Sequence, residues 1–265
     1  MAQRCLLTVV VLLASPLFAQ DNVATQRLTE QSKQFDEQIV QVADNVYTAV
    51  GFSVSNVSMI VGDDGVVIVD TGMMLDDARR IATEFRKLSL EPVKAIIFTH
   101  SHGDHTGGAA AFLGSERPQI WAHKDFGSEA RPLATGGVTF QRVRGARQAG
   151  FKLPPEERIN NGIAPVRYPR RAGSVFASGD AITPTHFLES GRQTIRVVGL
   201  EIELAASPGE TNDQLFVWYP AGKVLFAVDN FYRSFPNLYA IRGTPNRSVR
   251  QWAESLGKLA DHDAV

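Results

Sequence analysis

The chain has 265 residues, of which 44% are hydrophobic and 21% charged, a balance that excludes a disordered protein and suits one globular domain with a sizeable core. Its formal net charge of −1 excludes a general electrostatic pull toward nucleic acid or anionic lipid, so an anionic ligand would have to be held by locally placed cations. The single cysteine, Cys5, lies in an N-terminal apolar stretch, which leaves the rest of the chain without a disulfide, a thiol ligand or a thiol nucleophile.

In chain order the first feature is MAQRCLLTVVVLLASPLFAQ. Arg4 precedes an apolar run from Cys5 to Ala14, and Ser15, Pro16 and the small Ala19 come after it, which are the three parts of a secretory signal peptide. The run is short for a bilayer span, and the polar DNVATQRLTEQSKQ after it gives no stop-transfer pattern. The expectation is a signal over residues 1–20, one domain over 21–265, a periplasmic or secreted location, and no stable membrane association after cleavage. From Ile39, IVQVADNVYTAV alternates apolar and polar residues, and VSNVSMIVG and VVIVD flank a turn at Asp63-Asp64-Gly65, which predicts two or three strands joined by tight turns. Between Leu75 and Leu90 the spacing puts Ala78, Ile81, Ala82, Phe85 and Leu88 on one helical face and charge on the other. VKAIIFT reads as a buried strand, and IWAH, Ile120 to His123, as another reached through a helix that starts near Thr106.

Residues 127–180 are rich in Pro, Gly and Arg and lack sustained periodicity, so they read as a long insertion or active-site loop region. IRVVGLEIELAAS predicts a hairpin turning at Gly199. QLFVWYP and VLFAVD read as further strands, and Val249 to Leu259 as an amphipathic helix. Hairpins alternating with amphipathic helices suggest a sandwich of sheets flanked by helices.

The chemistry concentrates in FTHSHGDHTGG, Phe98 to Gly108, which holds three of the six histidines directly after an apolar run. On a strand-end loop, His100 and His102 can aim at one point, and Gly103 lets the backbone turn so that Asp104 and His105 aim at a second. Two neighbouring cations are implied. Nitrogen and oxygen donors without thiolate suit Zn²⁺, while ligand type alone leaves Mn²⁺ and Fe open. The bland alternative is a solvated or hydrogen-bonded loop, against which stands the mutual repulsion of three imidazoles on protonation unless something organises them.

With Asp70 ending VIVDTG upstream, this H-x-H-x-D-H stretch resembles the metallo-β-lactamase fold superfamily over roughly Val46 to the C-terminus. The resemblance implies an α/β fold, an αββα sandwich of the metallo-β-lactamase type with the metal site at one edge between its sheets. Asp70 would then accept a hydrogen bond that orients a ligand, the alternative being an ordinary turn aspartate. Family members usually carry a further histidine in a Pro-Gly-His-Thr turn, whereas this chain reads SPGETNDQ with Glu210 in that place. That glutamate, and the segment SFPNLYAIRGTPNR, resemble the alkyl sulfatase (type III sulfatase) branch.

Resemblance to that branch implies a ligand set and a reaction. One Zn²⁺ would be held by His100, His102 and Glu210, a second by Asp104 and His105, with Asp229 of VLFAVDN bridging; Asp104 and Asp229 are then the catalytic carboxylates. Asn237 and Arg242, five apart, with help from Arg247, would hold a sulfate. Glu210 as a turn residue and Arg242 as a solvated cation are the competing readings. The reaction would be hydrolysis of a sulfate monoester, an alkyl sulfate, by a metal-activated water. The partner is then a small anionic ester rather than nucleic acid, and a homo-oligomer is compatible. A final histidine ligand of the family has no counterpart: His262 is within reach but reads as a surface residue. The resemblance therefore implies a chain incomplete at its C-terminus, lacking also the helical dimerisation region and sterol-carrier-like domain of typical alkyl sulfatases. His123 reads as a structural histidine and His186 as structure or substrate rim. Phe140, Phe151 and Tyr168 read as packing residues able to contact an alkyl chain. The competing functions are hydrolysis of a β-lactam, lactone or thioester, a truncated non-catalytic metal-binding protein, and a nuclease.

Overall fold

The computed structural model describes residues 23–128, 138–148, 150, 152–154, 157–164, 182–238 and 247–264, with no side-chain description for 138–142. Seven strands form one sheet in sequence order: β1 (Gln38–Ala43), β2 (Val46–Val50), β3 (Val57–Val61), β4 (Val66–Val69), β5 (Val93–Ile97), β6 (Gln119–His123) and β7 (His186–Leu188). The first four pair antiparallel, as the tight turns predict, and β4 to β7 run parallel. A second sheet has the order β11-β10-β9-β8, all antiparallel, from β8 (Arg192–Val197), β9 (Leu200–Ala206), β10 (Leu215–Tyr219) and β11 (Val224–Phe226).

Strand pleating sends successive residues to opposite faces, and both faces of the larger sheet are covered. Val67, Val69, Ala95 and Ile97 meet Ile202, Leu204, Leu215 and Val217 of the second sheet. Ile68 and Ile96 instead meet Ala78, Ile81 and Phe85 of helix α2 (Leu75–Arg86). The outer face of the smaller sheet, Ala205 and Phe216, packs on Leu259 of a C-terminal helix, Val249–Ala260. The layering is helix, sheet, sheet, helix, as the resemblance implied.

Between these lie α1 (Val23–Ser32), α3 (Gly103–Thr106) and α4 (Val138–Gln148), so the C-terminal helix is α5. Four details differ from the sequence reading. Helix α2 stops at Arg86, and Leu88 and Leu90 are exposed. The helix expected from Thr106 is only the single turn of α3 and a 3₁₀ turn at Ala109–Ala111. The backbone between them lies against the strand-end segment 71–73, where a Cβ on Gly107 or Gly108 would stand 2.2 Å from the Met73 carbonyl or 2.1 Å from that of Thr71. Within the predicted loop region, residues 138–148 are helical. The side chain of His262, expected at the surface, is 9% exposed and sits edge-on between the rings of Phe216 and Trp218, 5.1 and 5.0 Å away. No helix among the described residues is long and apolar enough to cross a membrane, and residues 1–20, where the signal is expected, lie outside them.

Candidate metal centre

Parallel pairing puts the C-terminal ends of β4, β5 and β6 on one edge, and Asp70, Thr99 to His105 and His123 leave from there. The second sheet reaches the same edge, where Leu215 N donates to Thr99 O at 2.9 Å, so the turn 207–214 before β10 and the 3₁₀ turn Val228–Asn230 after β11 face the histidines across the gap.

Asp70 holds this edge in register. It sits at φ 56°, a left-handed conformation that aspartate tolerates better than branched residues, and its carboxylate accepts from Thr99 N at 2.9 Å and from Thr99 Oγ1 at 2.8 Å. His105 Nδ1 lies 2.7 Å from Asp70 Oδ2. A carboxylate oxygen accepts, so Nδ1 donates and Nε2 is the ring nitrogen left to face the rest of the site. Thr71 N and Oγ1 both donate to the His105 carbonyl, at 2.7 and 2.9 Å. Asp70 thus fixes the orientation of the His105 ring.

Two groups of donors converge: His100, His102 and Asp229 in one, Asp104, His105 and Asp229 in the other, each set of atoms within 4.8 Å. The rings of His100 and His102 are 4.7 Å apart and those of His100 and His105 4.1 Å. Asp229 spans both groups, with Oδ2 3.9 Å from His100 Nε2 and Oδ1 3.4 Å from His105 Nε2. Both Nε2 atoms are buried without a hydrogen-bond partner. A buried polar atom left unpaired costs about 1–3 kcal/mol, and two such imidazole nitrogens facing one carboxylate fit a divalent cation. The residues present therefore fit a divalent metal, with Asp229 in reach of both donor groups.

Glu210 stands at the margin of the first group. Its Oε1 is 3.9 Å from His102 Nδ1, takes an ion pair from Arg247 Nη2 at 2.9 Å, and accepts from Asn237 Nδ2 at 3.1 Å. Arg247 Nη1 also donates to the Asn237 carbonyl, and Asn237 N donates to the Tyr232 hydroxyl at 2.6 Å. Asn237, Glu210 and Arg247 are thus brought together beside the histidines. Arg242 lies outside the described residues, as do Phe151 and Tyr168 and the side chain of Phe140. His123 ends β6 and accepts from Asp125 N at 3.2 Å, which suits the structural reading, while the ring of His186 lies 4.8 Å from that of Trp121.

Sequence reading missed the supports. Trp252 Nε1 of α5 donates to Asn230 O at 3.1 Å, Ser255 Oγ donates to Pro208 O at 2.7 Å, and Asn230 Nδ2 donates to Ser207 O at 2.9 Å, so α5 ties down both turns of the second sheet. The apolar face of α5 was legible but not what it touches. Nothing local marks Tyr232.

Burial and neighbouring charge divide the ionisable groups. Burial, with the His105 charge, holds His100 well below its ordinary value, and burial lowers His102. Burial also opposes a charge on His105, but Asp229, Asp70 and Asp104 outweigh it and raise that imidazole well above the usual range. Burial opposes ionisation of Asp229 too, yet His105 and His100 hold its carboxyl well below the usual range. Burial, then the Asp229 charge, pushes Glu210 up to about 8 despite Arg247. Protons here sit where cations are wanted.

Known proteins share this arrangement of sequence and fold. The chain is 31% identical over 216 residues to the linear primary-alkylsulfatase of a Pseudomonas strain, covering 76% of this chain and 38% of that protein. It is 28% identical over 231 residues to the alkyl/aryl-sulfatase BDS1 of Saccharomyces cerevisiae, covering 82% and 34%. The chain thus spans well under half the length of these relatives. Among solved structures, the sec-alkylsulfatase Pisa1 from Pseudomonas sp. superposes with a TM-score of 0.73 at 23% identity over 87% of this chain and 37% of that one. The metallo-β-lactamase IND-7 gives 0.53 at 18% identity over 85% and 84%, a likeness of fold alone. The sequence model of the metallo-beta-lactamase superfamily matches residues 50–264. Running from the last residue of β2 to beyond α5, that match takes in every ligand candidate, and the chain belongs to the metallo-β-lactamase superfamily.

Proposed function

We propose that this chain carries the metal-dependent hydrolytic centre of an alkyl sulfatase, cleaving a small sulfate monoester with an apolar alcohol portion. The observation that carries the reading is the pair of donor groups sharing Asp229, with two buried imidazole nitrogens left without partners. Similarity to proteins named as alkylsulfatases supports a sulfate ester as the bond cleaved. His100, His102 and Asp229 would hold one ion, with Glu210 beside them, and Asp104, His105 and Asp229 the other. Two Zn²⁺ held there would supply Lewis acidity and a water made acidic near neutral pH. The chain's own part is positional. Asp70 fixes the tautomer of His105, the turn at Val228–Asn230 sets Asp229 between the groups, and Asn237 offers an amide at the rim where a sulfate oxygen would lie. Arg242 would complete the anion clamp. Phe231 and Phe235, exposed on the segment leading to Asn237, suit contact with an alkyl chain. Export by the N-terminal segment belongs to the same proposal, checked by the N-terminal sequence of the mature protein.

The test measures bound metal by mass spectrometry, with turnover of dodecyl sulfate and of a chromogenic β-lactam side by side. Expected are two ions per chain, chelator-sensitive release of sulfate, and no β-lactam cleavage. A protein that binds two ions and opens the β-lactam but not the sulfate ester would reverse the choice of bond; one that binds none would remove the hydrolase reading altogether.

A further inference from the structure

We infer that Arg247 is the internal counter-ion of Glu210 and a positioning residue for the site, rather than a cation that meets the substrate. The edge between the sheets gathers four carboxylates, Asp70, Asp104, Glu210 and Asp229, around His100, His102 and His105. Arg247 is the only lysine or arginine among the described residues that is buried, with 5% of its side chain exposed against Glu210 at 7%. Its planar fork is committed: Nη2 lies 2.9 Å from Glu210 Oε1 and Nη1 donates to the Asn237 carbonyl. The Asn237 amide closes the triangle on the same Oε1 at 3.1 Å.

With Nη2 on the Glu210 carboxylate, Nη1 on the Asn237 carbonyl and 5% of its side chain exposed, this guanidinium is turned inward rather than toward a substrate, and breaking its pair with Glu210 would leave a charge uncompensated in the interior. Joining the turn after β9 to the segment after β11 through one residue at the start of α5 also means that the Glu210 carboxylate and the Asn237 amide are set together, not independently. The anion site and the rim of the metal site therefore share one support.

This rests on the metal-site reading only for its functional effect, since the pairing itself can be tested in metal-free protein. A double-mutant cycle at pH 9, above the value of about 8 to which burial raises Glu210 without metal, uses Arg247→Met, Glu210→Gln and both together, with Arg247→Lys as the conservative variant. Each single neutralisation is expected to lower the melting temperature of the metal-free protein by about 3 °C or more, and the double variant to recover most of that loss. Competition with a chromophoric chelator should show Zn²⁺ affinity falling about ten-fold or more in Arg247→Met. Arg247→Lys should keep part of the stability but not the joint placement, so kcat for dodecyl sulfate falls more than KM rises. Melting temperatures that simply add in the double variant would overturn the inference, as would an Arg247→Met protein of unchanged stability and metal affinity whose only defect is a raised KM. Should Arg247→Met not be recovered folded, recovery of the double variant supports the pairing and failure of both counts against it. Wild-type protein without bound metal or sulfatase turnover would sink the functional reading and leave the metal-free cycle as it stands.

Discussion

Asp70 shows how one side chain decides what its neighbours can do. Its carboxylate is buried, accepts from Thr99 N and Oγ1, and accepts from Nδ1 of His105, which leaves Nε2 as the nitrogen of that ring that faces Asp229. In Asp70→Asn one carboxylate oxygen becomes a donor that must face either Thr99 or His105, both of which already donate. Metal affinity is expected to fall about 10- to 100-fold, measured by competition with a chelator. An unchanged affinity would mean that His105 is oriented by its backbone alone. The H-x-H-x-D-H residues were legible because their spacing is local: a strand end and one glycine bring them together within six residues. The joint placement of Glu210, Asn237 and Arg247 was not. They come from three segments up to 37 positions apart, and no sequence period marks a buried ion pair. Arg247 accordingly read as a helper for sulfate, whereas its side chain is turned onto Glu210.

Whole elements were legible where apolar pattern and turn chemistry agree. The strand β4 is a run of buried valine and isoleucine, β5 ends in the buried Ala95, Ile96 and Ile97, and the hairpin of β8 and β9 turns at Val198 and Gly199 with φ of 49° and 74°. The helix α4 was not foreseen, its weak apolar pattern being hidden among the prolines and glycines around it. Helix α5 was foreseen as an amphipathic element, but its work is done by polar atoms on the buried side. Ser248 caps it by accepting from Gln251 N, Trp252 Nε1 donates to Asn230 O beside Asp229, and Ser255 Oγ donates to Pro208 O beside Glu210. Trp252→Phe keeps an aromatic ring and removes one hydrogen bond while leaving the buried Asn230 carbonyl short of a donor. A stability loss of about 1–2 kcal/mol in urea unfolding is expected. Metal affinity should fall with it, because the turn carrying Asp229 loses its anchor to α5. A stability loss without any change in metal affinity would show that the turn holds its shape from β11 alone.

At the scale of the molecule the site is where the two sheets meet. His100, His102, Asp104 and His105 leave the seven-stranded sheet, and Glu210 and Asp229 leave the four-stranded one. Ions bound between them would cross-link the sheets, so metal occupancy and folding stability are linked. Without metal, protons do part of this work, and the sign of their effect can be worked out. Glu210 is raised from 4.5 to about 8, so its protonated form stabilises the fold below the unfolded value and that contribution is lost as pH rises through about 8. His105, raised above 6.5, acts in the same direction. His100 and His102 are lowered from 6.5, so they weaken the fold only as pH falls below that value and are neutral in both states above it. Between about pH 6.5 and 8 the metal-free protein should therefore lose stability by up to about 1.4 kcal/mol per pH unit for each proton retained by the folded state. Metal-saturated protein has exchanged those protons for cations, and its affinity for metal rises as they leave more easily. The gap between the melting temperatures of metal-loaded and metal-free protein should widen from pH 6.5 to 8 in parallel scans. A gap that stays constant across that window would mean that protons and metal do not compete for these carboxylates and imidazoles, and that the ions, if bound, sit elsewhere on the molecule.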